Sequence, residues 1–129
     1  CEITMTDAVH SCGIQDGSQI IYGGEAAGYV IKFSNGRVFY HSGDTALFGD
    51  MALIAELYRP DTVFLPIGDH FTMGPEDAAE AAKLWGVKTV IPMHYGTFPV
   101  LTGTVEAFQK TLSPQITLKA PAPGDTVEF

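Results

Sequence analysis

Six side chains stand out, by type and by their place in the sequence, as candidates to hold metal ions or move protons near neutral pH: His10, His41, Asp44, Asp69, His70 and His94. Neutral imidazole and carboxylate are the usual ligands of zinc and other borderline divalent ions. An ion held this way lowers the pKa of a bound water and gives hydroxide at neutral pH. No H-x-x-x-H or C-x-x-C spacing gathers these residues locally, so only the fold can assemble them. Taken singly, a histidine is more often a capping or solvated residue than a ligand. Cys1 could act as a nucleophile with its own amine as base, but no partner pattern accompanies it. Cys12 reads as a small buried residue.

The elements that must position these residues follow from periodicity. Glu2 to Asp7 alternates polar and apolar and reads as a strand. A strand at the first residue suggests that part of the domain lies upstream. Ser11 to Gly24, rich in Gly, Ser and Asp, reads as loop. Gly28 to Phe33 and Arg37 to His41 flank Asn35-Gly36, a strong hairpin signal, because both central residues of a type I′ turn need positive φ. A two-residue loop pairs Phe33 with Val38, Ile31 with Tyr40, Val30 with His41, and Gly28 with Gly43. Leu47, Met51, Ile54 and Tyr58 share a helical face that ends at Arg59-Pro60. Thr62 to Ile67 and Thr89 to Met93 are apolar strands. Between them, Pro75 opens a helix with Glu76 and Asp77 in its first turn, and Gly86 ends it. Thr104 to Leu112 forms a third helix with Thr102 or Thr104 as cap. Ile116 to Lys119 and Thr126 to Phe129 are expected closing strands. Helices alternating with buried strands imply a layered α/β architecture.

Each histidine falls at or just past the end of an expected strand. If those strands run together, all four reach one sheet edge, where α/β folds place their sites.

Composition narrows the classes. The chain has 129 residues, 46% hydrophobic, enough for one domain with a real core. Its net charge of −8 disfavours nucleic acid and anionic membranes as partners. No stretch approaches the length of a membrane helix. Two cysteines make no disulfide framework, so the expected compartment is the reducing cytoplasm.

The segments A-V-H-S at 8–11, Y-H-S-G-D-T at 40–45, I-G-D-H-F-T-M-G-P-E-D-A-A at 67–79 and P-M-H-Y-G-T-F-P at 92–99 occur in the order found in the metallo-β-lactamase superfamily. The chain most resembles its branch of metal-dependent hydrolases related to the ascorbate-phosphate lactonase. The resemblance implies the C-terminal half of a four-layer αββα sandwich, a single domain over residues 1–129. It implies that His10 binds a first metal, Asp44 bridges two, and His94 binds the second, with zinc expected and Mn, Fe or Ni as alternatives. The family's H-x-H-x-D-H motif is absent, and with it most of the remaining ligands. His41 and His70 are candidates for orienting a ligand or touching substrate.

The implied function is metal-dependent hydrolysis of an ester, lactone or phosphodiester in a small-molecule substrate, completed by an N-terminal half or a second subunit. The competing expectation is a non-catalytic half-domain whose uncovered sheet face drives homo-oligomerisation or partner binding. A di-iron redox centre of the same superfamily fits the G-D-T context less well.

Overall fold

The computed structural model describes residues 1–129. Its strands are β1 (Glu2–Asp7), β2 (Gly13–Asp16), β3 (Gln19–Tyr22), β4 (Ala27–Lys32), β5 (Val38–His41), β6 (Thr62–Pro66), β7 (Thr89–Met93) and β8 (Thr117–Leu118). Its helices are α1 (Met51–Tyr58), α2 (Pro75–Trp85) and α3 (Val105–Thr111). Six strands form one sheet in the order β1-β4-β5-β6-β7-β8, and β2 with β3 makes a separate hairpin. β4 is antiparallel to both β1 and β5, whereas β5 through β8 are parallel. β1 therefore runs in the same direction as β5, β6 and β7. The carboxyl ends of these four strands share one edge.

Local chemistry explains the helices. α2 begins with Pro75 at its first turn beside Glu76 and Asp77, and Gly86 closes it in the left-handed region at φ 60°. α3 is capped by Thr104, whose side chain accepts a hydrogen bond from the Ala107 N–H at 3.1 Å. α1 ends at Arg59, a non-glycine residue at φ 48°, whose N–H donates to the Ala55 carbonyl. Pro60 then prevents continuation.

All three helices pack on one face of the sheet. Val30, Tyr40, Val63, Leu65, Ile67 and Val90 meet Met51, Ala55, Ala78, Ala82, Trp85 and Phe108 in one core. Tyr40 stacks on Trp85 with ring centroids 3.9 Å apart. Small alanines along α2 let that helix come close to the sheet, so the two large rings fill the remaining volume. The opposite face has no helical layer. Ile3 and Met5 project there from β1, 61% and 71% exposed, together with Tyr29. Phe39 and Phe64 line the same face, partly sheltered by Phe129 against Phe39.

Several expectations need correction. The β4–β5 register is one residue off the expected one: Val30 pairs with Tyr40 and Tyr29 with His41. The loop holds three residues, Ser34 to Gly36, because the Phe33 N–H donates to Arg37 and Gly36, at φ 86°, follows the turn. Asn35-Gly36 thus forms the end of a three-residue turn, not the centre of a two-residue one. The segment 11–24 contains the β2–β3 hairpin, turning at Gly17, φ 59°. Leu47 precedes α1 and is not part of it, and residues 126–129 form no strand.

Candidate metal centre

The shared direction of β1, β5, β6 and β7 brings their following loops to one edge, and those loops carry His10, Asp44, Asp69, His70 and His94. His94 leaves β7 at φ 52°, a left-handed turn that histidine tolerates better than most residues. Its Nε2 lies 3.6 Å from Asp44 Oδ2. Both side chains remain solvent-accessible, at 24% and 47%. Two donors on one tetrahedral zinc, with bonds of about 2.0–2.2 Å, stand roughly 3.3–3.6 Å apart. The pair therefore fits two neighbouring positions on a single ion. The other ring nitrogen, Nδ1, is buried and has no hydrogen-bond partner.

The backbone beside this pair is crowded. A Cβ at Gly68 would overlap the His94 carbonyl oxygen and stand 3.3 Å from His94 Nδ1. A Cβ at Gly43, φ 63°, would overlap the Ala27 carbonyl oxygen. Glycine at these positions lets the loops after β5 and β6 close onto their neighbours.

His10 is not part of the pair. Its Nδ1 lies 2.8 Å from the Ser11 carbonyl oxygen. No group of three or more His, Cys, Asp or Glu side chains is close enough to share an ion. The backbone at His10 is nevertheless tied to the Asp44 loop. The Val9 N–H donates to Thr45 Oγ1 at 2.9 Å, and the Ala46 N–H donates to the Val9 carbonyl at 2.9 Å.

His41 sits beneath the Asp44 turn. The Gly43 N–H donates to His41 Nδ1 at 3.1 Å, which places the ring proton on Nε2. The ring stacks on Phe64. Loss of water around it lowers its pKa below the usual histidine value, and the nearby Asp44 charge opposes that shift. Asp69 and His70 both take left-handed conformations, at φ 66° and 58°. Asp69 accepts a hydrogen bond from Thr102, and its N–H donates to the Met73 carbonyl. His70 is exposed, its ring in an edge-to-face pair with Phe71. Two residues of structural weight escaped the sequence reading. Thr45 is a fully buried polar side chain inside Y-H-S-G-D-T, and Gly68 contacts the backbone of a candidate ligand. Their positions inside recognisable motifs were the available signal.

A sheet with helices on one face, and an Asp–His pair on the strand-end edge, match one half of a metallo-β-lactamase-type sandwich. The chain belongs to the family described as the beta-lactamase superfamily domain, which matches residues 1–95. It is 59% identical over 108 residues to a UPF0173 metal-dependent hydrolase of Koribacter versatilis, covering 84% of this chain and 46% of that protein. A metal-dependent hydrolase of Chloroflexus aurantiacus is 64% identical over 104 residues, covering 81% and 43%. Igni18, a metallo hydrolase from the archaeon Ignicoccus hospitalis, superimposes with a TM-score of 0.81 at 40% identity, covering 98% of this chain and 53% of its own. The chain spans about half the length of the relatives it matches. The likeness identifies the fold as one half of the metallo-β-lactamase sandwich, as the motifs implied.

Proposed function

We propose that this chain supplies Asp44, His94 and His10 to the divalent-metal site of a hydrolase acting on an ester, lactone or phosphodiester. Further sequence, corresponding to the other half of the relatives, completes the site with the remaining ligands. The observation that carries this reading is the Asp44–His94 pair, 3.6 Å apart on the edge where four strand ends meet.

A divalent ion held there supplies a water of lowered pKa and a Lewis acid for a carbonyl or phosphoryl oxygen. Zinc suits the His and Asp donors, and Mn, Fe or Ni accept the same set. This chain's own residues do the positioning. Asp44, at a turn, presents its carboxylate toward His94. His41 holds that turn through the Gly43 N–H. The Gly68 backbone lies close against the His94 carbonyl, an approach that a side chain at 68 would block. The bare sheet face bearing Ile3, Met5 and Tyr29 receives the second half of the sandwich. A second reading rests on that same face: two copies of the chain pair through it and act without catalysis.

The test measures metal content and hydrolysis in the chain joined to its upstream sequence, alongside Asp44→Asn and His94→Ala. The expected result is bound metal and turnover in the parent, with a 10-fold or larger loss of metal affinity in both variants. A joined protein that takes up no metal removes the proposal and leaves self-association as the reading to test.

A further inference from the structure

The metal-site proposal places His10 beside Asp44, yet the two side chains come from loops after different strands, and the His10 ring turns toward the Ser11 carbonyl. Something must fix the distance between those loops. Thr45 lies between them and is fully buried. Its hydroxyl accepts the Val9 N–H at 2.9 Å and donates to the Ala46 carbonyl at 2.8 Å. The Ala46 N–H donates back to the Val9 carbonyl at 2.9 Å. Both backbone groups of the residue before His10 are therefore bonded to the two residues after Asp44. The Thr45 carbonyl accepts the Met73 N–H at 3.1 Å. Met73 in turn accepts the Asp69 N–H, in the loop whose Gly68 packs on His94. One side chain thus connects the loops after β1 and β5, and its own carbonyl reaches the loop after β6.

We infer that Thr45 is a positioning residue that sets the His10 backbone against Asp44, so that the ligand loops are registered before any ion binds. The inference rests on the metal-site reading for its purpose, and on the hydrogen bonds alone for its geometry. The chemistry of the position is specific. The Val9 N–H is bonded, in a part-buried position, to a side chain that is itself fully buried, and removing that acceptor carries a penalty. Valine has the shape of threonine and no acceptor. Serine keeps the acceptor and loses only the methyl.

Two measurements on the 129-residue chain separate this role from simple packing. Amide hydrogen exchange at Val9 and Ala46 is compared in the parent, Thr45→Val and Thr45→Ser. Protection at Val9 is expected to fall at least tenfold in Thr45→Val and to stay within about threefold of the parent in Thr45→Ser. Zinc titration of the same proteins is expected to show 10- to 100-fold weaker binding in Thr45→Val and near-parent binding in Thr45→Ser. Equal Val9 protection in all three overturns the inference. So does zinc binding by Thr45→Val at parent strength, or a Thr45→Val chain that does not fold while Thr45→Ser does, which makes the hydroxyl a requirement of the fold and not of ligand placement. If no form, including the parent, takes up zinc, these 129 residues alone hold too few ligands for an ion, as the proposed function allows, and the Val9 exchange alone decides whether Thr45 registers the two loops.

Discussion

The two faces of the central sheet carry similar numbers of large apolar side chains and very different surroundings. On one, Tyr40, Val63, Leu65 and Val90 disappear under α1, α2 and α3. On the other, Ile3 and Met5 stand in solvent, while Phe39 and Phe64 pack against each other and against Phe33, Phe129 and His41. β1 shows the contrast within one strand. It turns its threonines toward the helical side, where Thr6 nears Tyr40, and its apolar residues toward the bare side. A strand patterned for a partner layer keeps that pattern whether or not the layer is beside it. The stability of these residues resides on the helical face, whereas the bare face has the composition of an interface.

Three changes break or sharpen this contrast. The largest effect belongs to Trp85→Ala, which removes the ring stacked on Tyr40 under α2. It is expected to lower unfolding free energy by about 3–5 kcal/mol in urea titration. A loss under about 1 kcal/mol would show that the helical face is not the anchor.

An intermediate effect comes from alkaline pH. Burial pushes the Tyr40 phenol up to about 12. The Thr6 side chain acts in the opposite direction without forming a hydrogen bond of ordinary geometry. A phenol whose folded pKa is raised stays protonated in the fold while the unfolded chain ionises from about pH 10. Its stabilising contribution is complete below pH 10 and is lost as pH rises toward 12, at about 1.4 kcal/mol per unit. Thr6 and the stacked Trp85 face the hydroxyl, and neither titrates in this window. Tyr40→Phe is expected to flatten the alkaline decline and to match or exceed the parent at neutral pH, because it deletes an unpartnered buried hydroxyl. An unchanged decline in that variant assigns it to other groups.

The smallest effect is expected from Ile3→Thr on the bare face. Stability in urea should change by less than about 0.5 kcal/mol. Any self-association seen by sedimentation should weaken in the same variant, and a stability loss as large as that of Trp85→Ala would erase the distinction between the faces.

Much of this arrangement is legible in the sequence. Pro75 and Gly86 bracket α2 because each suits one helix end and no other position in it. The edge placement of the histidines followed from four strand ends, and β1 proved to run with β5, β6 and β7 as that reading required. What could not be read depended on details that patterns do not encode. Asn35-Gly36 announces a turn but not whether it holds two residues or three, and one residue shifts every cross-strand pair. Asp16-Gly17 offered the same kind of signal for β2–β3. It was hidden among polar neighbours, and no buried face confirms that hairpin. The motifs singled out Asp44 and His94, and the fold places them together. The turning of His10 toward Ser11, and the bonding of Thr45 to Val9, depend on loop conformations that only the paired sheet defines.

β1 stands at one edge of the six-stranded sheet, yet it brings in one of the three candidate ligands. Helix docking on β6 and β7 can be complete while β1 remains unzipped from β4. Such a chain would hold a formed core and have no registered edge. Circular dichroism would count it as folded. If His10 completes the site as proposed, an ion offered to it would not, and metal affinity would report when this strand has joined.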